Sequence, residues 1–236
     1  DTVDYRIAAQ YNINDDVMVF ASAATGYISG GTQSTTGNLL DATEVDSYEI
    51  GVKSTLLDGD MTLNATYYQA DYKGLTTSLL VLVNNVFTST SVPGGDMESS
   101  GLEVDMVWQP LDNLKVTAGL SLDNSEFGKF RKQNPYTEDN GLADADGYFD
   151  LQGEDTPFSP DLSMNLGVSY QIGLEGGSYI VPGIFLYYSD EYRTTSVDYF
   201  WSRQDSYSTV DLSVKWYSAD DRYTVQAYVN NATDED

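Results

Sequence analysis

The residues best equipped to bind a ligand lie in one short segment, 191–205. It combines several aromatic side chains with two of the chain's 11 basic residues. Guanidinium groups pair with anions and aromatic faces stack on flat groups, so the segment predicts a site for an anionic or aromatic ligand. Loop packing and interfacial anchoring would use the same residue types, and the pattern slightly favours that alternative. The candidates are Tyr192, Arg193, Tyr199, Phe200, Trp201 and Arg203, together with Tyr27 from an earlier part of the chain.

Composition excludes several other kinds of site. The 236 residues contain no histidine and no cysteine, so the commonest general base and the thiolate ligands of metals are absent. Catalysis by two carboxylates requires a distinctive pair, and none stands out among 37 acidic residues. A net charge of −26 repels the phosphates of nucleic acids. We therefore predict no catalytic residue, no cofactor and no nucleic acid partner.

A second segment, 126–160, is rich in carboxylates. Oxygen ligands of this kind can hold Ca²⁺, but the glycine of Asp144-Ala145-Asp146-Gly147 is misplaced for an EF-hand loop. Ordinary solvated acidity is the favoured interpretation, and we assign no metal ligand. The acidic residues include Glu138, Asp139, Asp144, Asp146, Asp150, Glu154 and Asp155.

The elements that must position these segments are strands, because hydrophobic residues recur with period two. In 210–217, Val210, Leu212, Val214 and Trp216 alternate with polar side chains. No run of 18 apolar residues exists, which excludes a transmembrane helix. The alternation predicts ten antiparallel strands near 3–11, 17–26, 44–56, 61–72, 97–109, 114–125, 161–172, 179–190, 206–217 and 222–231.

The connections between these strands alternate between short and long. Five are brief and rich in turn residues, whereas 27–43, 73–96, 126–160 and 191–205 are long. Strands of about 9–11 residues with this asymmetry, and with aromatic residues near both ends, are typical of outer-membrane barrels. The alternative, a soluble β-sandwich, scatters its aromatic residues through a core. We therefore predict an all-β fold, an antiparallel transmembrane β-barrel segment. Within the connection 73–96, the two β-rich arms around Asn84 and Asn85 predict a projecting hairpin.

Several motifs, in order, resemble the C-terminal barrel strands of TonB-dependent receptors. They are Glu44-Val45-Asp46-Ser47-Tyr48-Glu49-Ile50-Gly51-Val52-Lys53-Ser54, Ser99-Ser100-Gly101-Leu102-Glu103-Val104-Asp105, Phe158-Ser159-Pro160-Asp161 and Val229-Asn230-Asn231-Ala232-Thr233-Asp234-Glu235. Each motif alone is weak, but their order and spacing over nearly the whole chain are specific. The resemblance implies about ten strands of a barrel of about 22, the size of plugged outer-membrane transporters. Residues 1–236 would then be a partial outer-membrane β-barrel domain without the plug domain or the closing hairpin.

The resemblance also implies a function. The expected protein lies in the outer membrane of a Gram-negative bacterium, among lipid and lipopolysaccharide. It binds a scarce nutrient such as a ferric siderophore, and the missing N-terminal region contacts the TonB complex. Two alternatives remain open, a passive porin and a structural or adhesive surface protein. An enzyme is not expected, since the proteases and phospholipases known on barrels of this size depend on histidine.

Overall fold

The fold is almost entirely antiparallel sheet. The computed structural model describes residues 3–33, 35–83, 86–133, 143–199 and 201–235. Among them, no helix is long and apolar enough to cross a membrane. The strands are β1 (Arg6–Asn12), β2 (Val17–Ile28), β3 (Thr43–Leu56), β4 (Met61–Val83), β5 (Val86–Leu111), β6 (Leu114–Phe127), β7 (Arg131–Gln133), β8 (Tyr148–Asp150), β9 (Leu162–Tyr170), β10 (Ile172–Gly173), β11 (Tyr179–Ser189), β12 (Tyr192–Arg193), β13 (Arg203–Gln204), β14 (Tyr207–Tyr217) and β15 (Thr224–Val229).

Ten of these strands form one sheet in chain order. The order is β1-β2-β3-β4-β5-β6-β9-β11-β14-β15, with the short β10 paired to β11. Each strand pairs antiparallel with the next, and the ten correspond to the ten that the sequence predicts. The pairs β7–β8 and β12–β13 form separate two-stranded sheets inside two of the long connections. Within the described residues β1 and β15 are the two ends of the sheet, so it does not close into a barrel there.

One face of the sheet is apolar and the other is polar. Directly opposed residues point to the same side, and on one side Val104 faces Leu120, which in turn faces Met164. On the other side Glu103 faces Ser121, which faces Ser163. The alternation extends across the sheet and is the pattern of a wall between lipid and a polar interior.

Aromatic residues mark both ends of the apolar face, as the sequence predicts. Trp108, Tyr170 and Trp216 lie beside short turns, and Tyr67 and Tyr188 lie toward the long connections. Several aromatic residues near the long connections lie on the polar face instead, among them Tyr68, Tyr72 and Tyr187. Tyr68 faces Gly101 and Tyr187 faces Asn165, so neither belongs to an aromatic girdle.

The predicted connection 73–96 is mostly strand. β4 and β5 continue past the ends of their neighbours and stay paired as far as Val83 and Val86. The register shifts between Tyr72 and Thr76, where the hairpin leaves the main sheet. The hairpin that the sequence predicts around Asn84 and Asn85 is therefore confirmed for its arms, and the two asparagines themselves lie outside the described residues.

A matched pair of substitutions tests which face meets lipid. Leu120→Lys places a charge in the middle of the apolar face and should cost about 2–4 kcal/mol of unfolding free energy. Ser121→Lys points to the polar face opposite Glu103 and should change that free energy little. Urea unfolding in phospholipid vesicles measures both. Equal losses for the two variants would contradict the assignment of faces.

Candidate functional site

Two of the long connections fold against each other at one end of the sheet. Among the described residues, the buried hydrophobic side chains are Phe130, Phe149 and Leu151 from one connection and Val197 from the other. Phe149 is only 2% exposed. Phe127, Ala143 and Tyr199 pack around this cluster. We call the described parts of these connections, 126–133 and 143–160 with 191–199 and 201–205, the two-loop unit.

Arg193 joins the two halves of this unit. Its Nη1 donates to Glu154 Oε2 at 2.7 Å and its Nη2 donates to Asp155 Oδ2 at 2.9 Å. Its carbonyl oxygen accepts the backbone N–H of Phe158 at 2.7 Å. The side chain is only 12% exposed. Burial alone would lower the pKa of Arg193, but the hydrogen bonds to both carboxylates outweigh that effect, so the pKa is raised overall. This guanidinium is therefore an internal link between loops.

A second cation also bridges the two connections. The Nζ of Lys132 donates to Ser196 Oγ at 2.9 Å. Burial lowers the pKa of Lys132, since the low-dielectric surroundings disfavour the ammonium form. This contact and those of Arg193 hold the same two segments together.

Arg203 is paired within its own loop. Its Nε and Nη2 bind the two carboxylate oxygens of Asp198 at 3.0 and 2.6 Å. The hydrogen bond from Arg203 lowers the pKa of Asp198, so this carboxylate stays ionised. The Nη1 of Arg203 also lies 3.8 Å from Glu191 Oε1. Its side chain is 48% exposed, in contrast to Arg193.

A cavity of about 180 Å³ lies between the two-loop unit and the ends of β9 and β11. It brings together three of the candidates from the sequence, Tyr192, Arg193 and Arg203. Burial raises the pKa of Asp161, and the charges of Asp155 and Asp190 raise it further. The other residues that line the cavity are Asp155, Ser159, Asp161, Asp190 and Glu191.

Two pairs of aromatic rings reach the surface of the unit. Tyr199 and Trp201 stack with centroids 5.0 Å apart and planes 4° apart, and Trp201 is 57% exposed. Phe149 meets the ring of Tyr199 edge-on, which ties this stack to the buried cluster. Phe158 lies 6.1 Å from Tyr192 and is 68% exposed. Each pair thus presents one open ring to solvent.

The structure does not bring all the sequence candidates together. Tyr27 lies on β2 opposite Glu44, on the same face as the apolar residues Val19 and Ala21 and apart from the cavity. Phe200 lies outside the described residues. Phe158, whose exposed ring lies near Tyr192, is not among the sequence candidates, although it begins the Phe158-Ser159-Pro160-Asp161 motif. A ligand role for any of these residues stays a prediction.

A comparison with known protein families agrees with this fold. The sequence fits the family described as TonB dependent receptor-like, beta-barrel, over residues 1–232. The chain belongs to this family of TonB-dependent receptors. Barrels of the family are outer-membrane proteins of Gram-negative bacteria, and the receptors are transporters.

Solved TonB-dependent receptors have the same fold. The ferric yersiniabactin uptake receptor FyuA from Yersinia pestis matches with a TM-score of 0.73 and 20% identity, over 97% of this chain and 32% of that chain. The siderophore receptor PiuA from Acinetobacter baumannii matches with a TM-score of 0.69 and 18% identity, over 98% of this chain and 32% of that chain. The copper transporter OprC matches with a TM-score of 0.69 and 11% identity, over 97% of this chain and 33% of that chain. This chain therefore spans about a third of the length of these structures.

Arg193 and Arg203 provide a matched test of the two-loop unit. Arg193→Ala leaves two carboxylates without their partner and should lower the opening free energy of the unit by about 2 kcal/mol. Arg203→Ala removes a solvent-exposed pair and should change this free energy little. Hydrogen exchange of amides in 143–160 measures the opening. The same loss in both variants, or faster exchange throughout the strands, would contradict the role given to Arg193.

Proposed function

We propose that this chain forms part of the wall and the external loops of a receptor for active nutrient uptake across the outer membrane, and that the nutrient is a ferric siderophore. The observation that carries the proposal is the two-loop unit. The unit carries the exposed rings of Trp201 and Phe158, and it adjoins a cavity at the end of the sheet where the long connections lie. Open aromatic rings on the same loops that line a cavity suit capture of a small molecule from outside.

The rest of the receptor would supply what this chain does not. Since the chain spans about a third of the related structures, residues 1–236 would be a partial barrel domain. The remaining strands would complete a barrel of about 22 strands. The plug domain and the segment that contacts the TonB complex would also come from elsewhere in the receptor. The apolar face would contact outer-membrane lipid, with lipopolysaccharide on its external side.

The cargo could in principle be a metal ion without a chelator, because one structural relative is a copper transporter. Copper prefers thiolate, thioether and imidazole ligands. This chain has no cysteine and no histidine, and only five methionines. Its exposed aromatic rings suit the organic part of a chelate better. The names of FyuA and PiuA, a ferric yersiniabactin uptake receptor and a siderophore receptor, also support an iron chelate.

Uptake measurements in cells test this proposal. The full receptor that contains this chain should restore accumulation of radioactive iron supplied as siderophore chelates, and the restoration should disappear in a strain without TonB. Phe149→Ala should reduce uptake, because it removes a buried ring and the support of Tyr199.

Arg222→Ala provides the control for this experiment. Arg222 pairs with Asp220 in an exposed turn at the opposite end of the sheet from the two-loop unit, so uptake should not change. Uptake that persists without TonB would indicate a passive porin. Absence of any chelate-dependent uptake, with normal amounts of receptor in the outer membrane, would contradict transport of siderophores.

A further inference from the structure

The arginines of the two-loop unit are already paired with carboxylates of the same unit, whereas the ammonium group of Lys132 donates to Ser196. The described arginines here are Arg131, Arg193 and Arg203, and each forms an ion pair. Arg193 binds two carboxylates, and Arg203 lies near a second carboxylate in addition to Asp198. The charge of a guanidinium paired with a carboxylate is largely compensated, so it attracts a further anion less strongly. The sequence expectation of arginines open to an anionic ligand therefore has no support in these contacts.

The cavity beside these arginines has an excess of negative charge. Four carboxylates line it, from Asp155, Asp161, Asp190 and Glu191, against two guanidinium groups. Arg193 also binds Glu154, which lies outside the cavity lining, so the excess near the cavity is larger than the lining alone shows. A polyanion would enter this region against the charge of the receptor.

The open aromatic rings, like the carboxylates, favour cationic or neutral groups over anions. The face of an aromatic ring carries negative partial charge, so it attracts cations and stacks with flat neutral groups. Trp201 and Phe158 are the exposed members of the two ring pairs. They are held by ring partners, and in the case of Trp201 the stack is anchored on the buried Phe149. Preformed rings of this kind bind ligands without much loss of side-chain freedom.

From the paired arginines, the excess of carboxylates and the two open rings, we infer that the receptor selects metal chelates of zero or positive net charge and rejects polyanionic chelates. The inference rests on the proposed function, since it concerns which siderophores the receptor takes. Trp201 and Phe158 would contact the organic shell of the chelate. Asp190 and Glu191 would favour an ammonium group on it and repel a carboxylate or an ionised catecholate.

Binding of three iron chelates to the full receptor in detergent or nanodiscs tests the inference. The probes are a neutral ferric trihydroxamate, a trihydroxamate of similar size with one free ammonium group, and a trianionic ferric tricatecholate. Equilibrium dialysis with radioactive iron gives each dissociation constant at low and at high salt. At low salt the neutral and cationic chelates should bind at least about tenfold more tightly than the trianion, and high salt should narrow the difference.

Two variants separate charge from stacking. Asp190→Asn combined with Glu191→Gln should improve binding of the trianionic chelate several-fold and weaken that of the cationic one. Trp201→Ala should weaken binding of the neutral and cationic chelates, whereas Arg222→Ala should change nothing. If the cavity and rings do not contact the ligand, none of these variants will alter binding, and that result would overturn the inference.

The outcomes distinguish a failure of the charge selection from a failure of the proposed siderophore uptake. A trianionic chelate that binds as tightly as the others would overturn the charge selection while leaving siderophore uptake intact. Failure of all three chelates to bind a receptor that is folded in the membrane would overturn both. Preference for the neutral and cationic chelates, reduced by neutralising Asp190 and Glu191, is the result that we expect.

Discussion

The constraint on which the rest of this structure depends is that no backbone amide or carbonyl can remain unpaired in hydrocarbon. Each strand that lies between β1 and β15 in the order of the main sheet meets this constraint by pairing antiparallel with a neighbour on both sides. Once the ladder is set, the faces follow, because successive side chains point to opposite sides. A slip of one residue in β5 would move Glu103 and Asp105 to the side of Val104 and Met106. The lipid therefore fixes the register of the wall, and the register fixes where each long connection begins.

The polar face has its own packing rule, in which large rings cover glycines. A Cβ on Gly51 would lie 2.5 Å from Cε1 of Phe20, and one on Gly101 would lie 2.8 Å from Cε1 of Tyr68. Only glycine leaves room for these rings on the neighbouring strand. The hydroxyl of Tyr68 then donates to Asp123, which also accepts from Ser159 at the cavity. A line of contacts thus runs from the inner wall to the lining of the cavity.

The sequence predicts the wall better than the loops, and the reason is the range of the interactions. Strands and turns follow from neighbouring residues, so the ten strands and the two arms of the hairpin are confirmed. The sequence alone could also have assigned Tyr68 to the polar face, since counting by two from Leu63 places Tyr67 on the apolar side and Tyr68 on the polar side. The partners of Arg193 lie 38 and 39 residues away along the chain, so no local sequence pattern predicts them. By contrast, Asp198 is five residues from Arg203.

The wall and the two-loop unit are stabilised by different forces, and this difference bears on how a ligand site can work. Apolar side chains on the wall are not driven together, because lipid is as apolar as they are, and the wall relies on its hydrogen-bonded ladder. The loops are exposed to water, so burial of Phe130, Phe149, Leu151 and Val197 does stabilise them. A core of four side chains is small, and units of this size open at a free energy far below that of the whole protein. The two-loop unit can therefore open while the register of the wall stays unchanged.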